Sequence, residues 1–150
     1  MSNTSGDTQI IKKLLADTFA IYLKTLNYHW NIRKTEHFYS LHKLLEAQYE
    51  QLAEDMDEIA EVIATMGEYA PGTFAELQSL TSIADGDATK DDLAMLEELA
   101  KDHDSIVELA RQVGENADYL TVDLLVQRGR AHSKMGWMLR ASSKNVKHCS

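Results

Sequence analysis

The chain has 150 residues, enough for one domain with a self-sufficient core, and its single cysteine, Cys149, excludes an internal disulfide. Its 24 acidic and 15 basic residues leave a net charge of −9, which argues against a dedicated nucleic-acid binder and favours an affinity for cations. The first residues contain no apolar signal segment and no long apolar run follows, so we expect a cytoplasmic protein with no membrane partner.

The sequence contains few residues that break helices: one proline and seven glycines. A first helix is predicted over residues 8–33, where apolar residues recur near helical spacing. A second helix is predicted to begin after Thr35, a good N-cap residue, and to run to about Met66. Gly67 and Pro71 follow and are expected to end it.

A short helix is predicted next. Thr73-x-x-Glu76 is typical of a capping box, in which two side chains satisfy N–H groups at a helix start, and it predicts a helix through Leu80. This helix lies within a segment of roughly 20 residues that joins the second and third long helices.

Two further long helices complete the predicted fold. Thr89-x-x-Asp92 predicts the start of one, which Gly114 closes, and the last is predicted over residues 119–144. Four long helices with a short helix in a long crossover are typical of ferritin-like bundles. We therefore predict an all-α fold, a ferritin-like four-helix bundle. It would form a single domain over residues 1–150 with flexible tails at about 1–7 and 145–150.

One histidine and three acids share a broad side of the second predicted helix. His42 and Glu46 are four residues apart, as are Asp57 and Glu61, so each pair projects from one face. The two pairs are offset by 15 residues, which at about 100° per residue is within roughly 60° of whole turns. Such acids are usually only a solvated face, and a metal site is the competing interpretation.

The distance along this helix prevents one copy from using all four side chains as ligands of a single metal ion. Glu46 and Asp57 lie about 16 Å apart along the axis, whereas metal–ligand bonds are about 2 Å long. If two copies cross antiparallel on a two-fold axis at the middle of the helix, His42 meets Glu61 of the partner subunit. Glu46 then meets the partner's Asp57, so one contact builds two identical sites. Imidazole and carboxylate ligands suit iron, with manganese or zinc as possible substitutes.

The Glu-x-x-His motif, with which many di-iron bundles bind metal inside one subunit, is absent from the sequence. The residues three positions before the six histidines are Leu26, Lys34, Tyr39, Ala100, Gly129 and Asn145. A metal site built within one subunit is therefore disfavoured.

Nearly the whole chain resembles the Dps family, the miniferritins. The similar motifs are Asn27-Tyr28-His29-Trp30, His42-x-x-x-Glu46, Asp57-x-x-x-Glu61 and the final Gly136-Trp137-Met138-Leu139-Arg140-Ala141. The resemblance implies that one subunit supplies His29, His42 and Glu46, and that its two-fold mate supplies Asp57 and Glu61. It also places Trp30 beside the site, where it takes up oxidising equivalents; ordinary helix packing is the alternative.

The resemblance implies a ferroxidase that stores iron in a hollow dodecamer. Family members oxidise Fe(II), preferentially with hydrogen peroxide and also with dioxygen, and keep the ferric mineral inside the shell. Consuming iron and peroxide together protects against oxidative damage. Acids near the start of the last helix line iron-admitting pores in the family, and Asp118 and Asp123 match them best, with Glu115 less secure. Asp118 is also a candidate helix cap.

Two departures from the family pattern concern the ligands. Position 46 is Glu where many members have Asp, which adds one methylene of reach. The gap between His29 and His42 is one residue longer than usual, which leaves the ligand role of His29 open and makes His37 an alternative ligand. The remaining histidines are interpreted as surface or packing residues: His103, His132 and His148.

DNA binding is the alternative function, in a nucleoid protein with weak or vestigial metal sites. Members that coat DNA often use lysine-rich tails, but residues 1–9 contain no lysine or arginine. All 24 acids lie within residues 1–123, so residues 124–150, with six basic residues, carry +6. We regard DNA binding as possible but not favoured, and a purely structural helical oligomer as a third possibility.

Overall fold

The computed structural model describes the backbone of residues 4–148 and the side chains of residues 6–144. It contains five helices over this range and no strand: α1 (Thr4–Asn31), α2 (Phe38–Thr65), α3 (Phe74–Leu80), α4 (Asp92–Arg111) and α5 (Tyr119–His148). The prediction of four long helices with a short helix in the crossover is confirmed. Within the described part of the chain, no helix is both long and apolar enough to cross a membrane.

The bundle is built from two antiparallel helix pairs. α1 packs against α2, with Lys12 near the start of α1 bound to Glu68 just beyond α2 at 2.7 Å, and α4 packs against α5. Every third or fourth residue of α2 faces the core, the spacing expected of one helix face. Those buried residues are Leu41, Leu45, Gln48, Leu52, Asp55, Ile59 and Ile63.

The start of α2 differs from the prediction. The helix begins at Phe38, and His37 rather than Thr35 occupies the N-cap position. The Thr35 hydroxyl oxygen instead accepts the backbone N–H of His37 at 3.2 Å, which closes a local turn before the helix. Threonine favours both arrangements, so the residue type alone does not distinguish them.

The start of α4 also differs from the prediction. The helix begins at Asp92, while the hydroxyl and backbone N–H of Thr89 both donate to the carboxylate of Asp87. The buried Asp92 carboxylate accepts the backbone N–H groups of Arg33 at 3.2 Å and Lys34 at 2.7 Å. This tertiary contact fixes the first residue of α4 against the loop between α1 and α2.

The capping box at α3 is confirmed. Thr73 is the N-cap residue, its hydroxyl oxygen accepts the Glu76 N–H at 3.2 Å, and its hydroxyl donates to the Glu76 carboxylate at 2.8 Å. At the chain ends, α1 begins four residues before the predicted start and α5 continues to His148. The predicted tails therefore include helical residues 4–7 and 145–148. Residues 1–3 and 149–150, Cys149 among them, lie outside the described residues.

A buried lysine ties the crossover to α1 and α4. Lys24 is 3% exposed, donates to the carbonyl of Ala84 at 3.0 Å, and forms ion pairs with Glu98 at 2.5 Å and Asp102 at 2.8 Å. Gly86 passes so close above α1 that a Cβ there would lie 3.1 Å from a Lys24 side-chain carbon. The crossover can follow this path because position 86 has no side chain.

Polar side chains also cross the core between α2, α4 and α5. Arg128 binds Asp55 at 2.5 Å, and the Gln48 amide donates to the backbone carbonyl of Met135 at 3.2 Å. The Nδ1 atoms of His103 and His132 lie 2.8 Å apart, and both residues are fully buried. These two histidines are packing residues, one of the two alternatives that the sequence left open.

Candidate metal centre

His29 on α1 and His42 on α2 form a stacked pair where the two helices lie side by side. Their ring centroids are 3.8 Å apart at an interplanar angle of 17°. Each ring uses Nδ1 to bond the backbone carbonyl of the other residue, at 2.9 Å in both directions. A carbonyl only accepts, so each Nδ1 must carry a proton, and in the neutral tautomer of each ring the lone pair is on Nε2. Neutral imidazoles oriented in this way are the form that binds metal ions.

Two aromatic side chains hold the histidine pair. The ring of Phe38 stacks on His42 with centroids 5.1 Å apart, and Tyr49 meets the His29 ring edge-on at 5.0 Å. Burial raises the pKa of Tyr49, which favours its neutral phenol. Neither residue was predicted from the sequence, although Phe38 lies four positions before His42 and therefore on the same helix face. Trp30 is 63% exposed, so its side chain is not part of the subunit core.

Glu46 lies one turn after His42 and is half-buried. Its carboxylate accepts a hydrogen bond from the Lys43 ammonium at 2.9 Å. That bond and the positive charge of Lys43 hold the pKa of Glu46 below its ordinary value. Glu46 is therefore a carboxylate at neutral pH, the form that attracts cations.

Asp57 and Glu61 lie on the same helix but apart from the histidine pair. Both side chains are exposed, and Asp57 is separated from Glu46 by three turns of α2. Within the described residues, no three His, Cys, Asp or Glu side chains of one chain are grouped closely enough to hold a metal. A single subunit thus presents a pair of imidazoles, a carboxylate one helical turn after His42, and two further carboxylates about three turns along the same helix.

The acids predicted to line a pore lie at the start of α5. The carbonyl of Asp118 accepts the Val122 N–H, and its carboxylate accepts the Leu120 N–H, both at 3.0 Å. Asp118 therefore caps α5, the alternative that the sequence left open. Asp123 is exposed and accepts a hydrogen bond from the amide of Gln127 at 2.8 Å.

The other described histidines lie at the N-cap of α2 and between α4 and α5. His37 is at the N-cap position of α2, with φ −90° and ψ 21°, and is half-buried. His103 and His132 bond each other between α4 and α5. The side chain of His148 lies outside the described residues.

Comparison with known proteins places this arrangement in a family. The ferritin-like domain family matches residues 8–148. The DNA protection during starvation protein of Helicobacter pylori is 30% identical over 138 residues, which cover 89% of this chain and 95% of that protein. The DNA protection during starvation protein 2 of Bacillus anthracis is 32% identical over 137 residues, which cover 89% of this chain and 93% of that protein.

A solved crystal structure of a DPS protein is also similar to this chain. The crystal structure of the DPS protein from Vibrio cholerae O1, described as a member of a broad superfamily of ferritin-like diiron-carboxylate proteins, has a TM-score of 0.85 and 27% identity to this chain. The match covers 92% of this chain and 89% of that chain. The chain therefore belongs to the ferritin-like domain family and, within it, to the Dps miniferritins.

Proposed function

We propose that this protein is a ferroxidase and iron-storage miniferritin whose catalytic sites are shared between two subunits. The observation that carries the proposal is the stacked histidine pair, in which both Nδ1 atoms are bonded to carbonyl groups, so that Nε2 is the nitrogen of each ring left to bind a metal. Glu46 adds a carboxylate on the next turn of α2. These three side chains would form one part of a metal site. The family relationship supports the remaining ligands coming from a two-fold mate.

The exposed carboxylates of Asp57 and Glu61 are the proposed remaining ligands. A two-fold contact between antiparallel α2 helices would bring them to the histidine pair of the partner subunit, and one such contact would complete two sites. Iron is the substrate that this mixed set of nitrogen and oxygen ligands suits, with zinc or manganese as substitutes. Carboxylates stabilise Fe(III) more than Fe(II), so they make loss of an electron easier.

Hydrogen peroxide is the proposed principal oxidant, with dioxygen as an alternative. Two Fe(II) ions each lose one electron, the O–O bond of peroxide breaks, and its two oxygen atoms leave as water or hydroxide. Ferric mineral would collect inside a dodecameric cytoplasmic shell, which Fe(II) would enter past Asp118 and Asp123. Trp30, exposed and next to His29, would take up stray oxidising equivalents.

The relatives are named for protection of DNA. The proposed chemistry would protect DNA without any contact between protein and DNA. Iron and peroxide consumed together cannot form hydroxyl radicals. Direct binding is less favoured, because two of the six basic residues after residue 123 are paired within the subunit. Arg128 binds Asp55 inside the core, and Arg140 binds Asp104.

The experiment is an anaerobic Fe(II) titration of the metal-free protein, followed by less than one equivalent of peroxide. We expect saturable binding and fast formation of ferric absorbance that co-elutes with the protein. His42→Ala and Asp57→Ala should lose both, while Glu54→Gln, which removes an exposed acid of α2 outside the proposed set, should keep both. Oxidation no faster than in buffer, with ferric precipitate in the pellet, would contradict the proposal and favour DNA binding or scaffolding.

A further inference from the structure

The ammonium group of Lys43 binds one oxygen of the Glu46 carboxylate, a proposed metal ligand. Lys43 directly follows His42, and its Nζ lies 2.9 Å from Glu46 Oε2. The same Nζ is 5.9 Å from the centroid of the Tyr39 ring, which lies four residues earlier on α2. Because the lysine side chain is flexible, its ammonium can contact either the Glu46 carboxylate or the face of the Tyr39 ring.

We propose that Lys43 is an affinity-determining residue of the metal site, an internal cation that competes with the metal for Glu46. The inference rests on the proposed function, because it takes Glu46 as a ligand. To coordinate a metal through Oε2, the Glu46 carboxylate must release the ammonium. The ring of Tyr39 offers the displaced ammonium a second position on the same side of the helix.

Two effects then weaken the binding of divalent cations. The Lys43–Glu46 bond has to be broken, and a positive charge remains close to the bound ion. The side chains of Lys43 and Glu46 are 49% and 32% exposed, so water and salt screen the competition. Ion pairs of this kind change an equilibrium by roughly two- to fivefold.

The position of Lys43 determines which ligand the competition affects. His29 and His42 are fixed by their carbonyl bonds, whereas Glu46 is the ligand of the same subunit whose partner can change. A two- to fivefold lower affinity raises the Fe(II) concentration that half-fills the site by the same factor. Removal of Lys43 should therefore tighten binding, although most substitutions beside a metal site weaken it.

The test is an anaerobic Mn(II) titration of the metal-free assembly at low ionic strength, with free Mn(II) measured by EPR. We expect Lys43→Gln to bind about two- to fivefold more tightly than the wild type, with the difference shrinking as salt is added. Lys43→Arg keeps the charge and should bind like the wild type. Lys90→Gln is the matched control, because it also removes one surface lysine from an ion pair, with Glu98.

A double-mutant cycle separates competition for Glu46 from a general effect of charge. In the Glu46→Gln background, Lys43→Gln should improve binding less than it does in the wild type. Equal or weaker Mn(II) binding by Lys43→Gln in the otherwise native chain would overturn the role of Lys43 while leaving the proposed site intact. Absence of saturable binding in the wild type as well would overturn the proposed site and this inference with it.

Discussion

The buried pair of His103 and His132 makes the stability of the bundle depend on pH. One Nδ1 must donate and the other accept in their mutual bond, so the accepting ring is neutral, and burial disfavours a charge on the donating ring as well. The pKa of His103 is lowered to about 4, chiefly by burial; Asp104 opposes the shift and Arg140 contributes to it. Burial also holds the pKa of His132 well below its ordinary value, helped by His103 and Arg128. Protonation of either ring would place a charge in the core.

The direction and size of the effect follow from these values. An unfolded chain takes up a proton on each histidine below a pH of about 6.5, whereas the folded chain does not do so until the pH approaches about 4 for His103. Stability is therefore complete above pH 6.5 and falls as the pH decreases toward 4. At about 1.4 kcal/mol per pH unit, His103 alone should cost about 2 kcal/mol of the free energy of unfolding at pH 5.

The assay is urea unfolding followed by circular dichroism at pH 7.5 and pH 5.0, at one protein concentration. The comparison is between the wild type and the double variant His103→Leu/His132→Leu, because a single replacement would leave one ring without its partner. Carboxylates titrate alike in both proteins, so the difference between them isolates the pair. The double variant should lose at least about 2 kcal/mol less than the wild type on acidification, because it removes the contribution of His132 as well as that of His103. Equal losses would refute the reasoning.

Two further changes test the packing that supports the site. Gly86→Ala should lower stability by about 1–3 kcal/mol in thermal denaturation, because its Cβ would lie 3.1 Å from α1 atoms, whereas Gly114→Ala, with nothing within 4 Å, should escape this penalty. Asp55→Ala should cost about 3–5 kcal/mol in urea unfolding by leaving the buried Arg128 guanidinium unpaired. Asp57→Asn, two residues away and exposed, should unfold like the wild type even if it abolishes iron oxidation.

The sequence predicted those parts of the fold that depend on local patterns. The capping box of α3 acts within four residues, so Thr73 and Glu76 suffice to predict it. The starts of α2 and α4 were misplaced because Thr35 and Thr89 make turns instead of caps. At α4 the first residue is set by the buried Asp92 carboxylate, whose partners lie in the loop between α1 and α2.

The candidate site also has parts that local sequence patterns predict and parts that depend on how the helices pack. The spacing of His42, Glu46, Asp57 and Glu61 follows from one helix, and the sequence alone supports a site shared between two copies. The stacking of His29 on His42 depends on how α1 packs against α2, which no spacing within either helix specifies. The ion pair of Lys43 with Glu46 has the (i, i+3) spacing of a common surface pair, so only its position beside the histidines distinguishes it.

Sharing of each site between two subunits is the central claim, and complementation between variant subunits tests it most directly. Chains with His42→Ala and chains with Asp57→Ala should each form inactive assemblies. When the two are co-expressed and assemble at random, half of the dimeric contacts pair one chain of each kind, and one of the two sites in such a contact is complete. We expect recovery of about a quarter of the wild-type peroxide-dependent ferroxidase rate per subunit in the purified mixed assembly. Mixed assemblies no more active than either parent would contradict it.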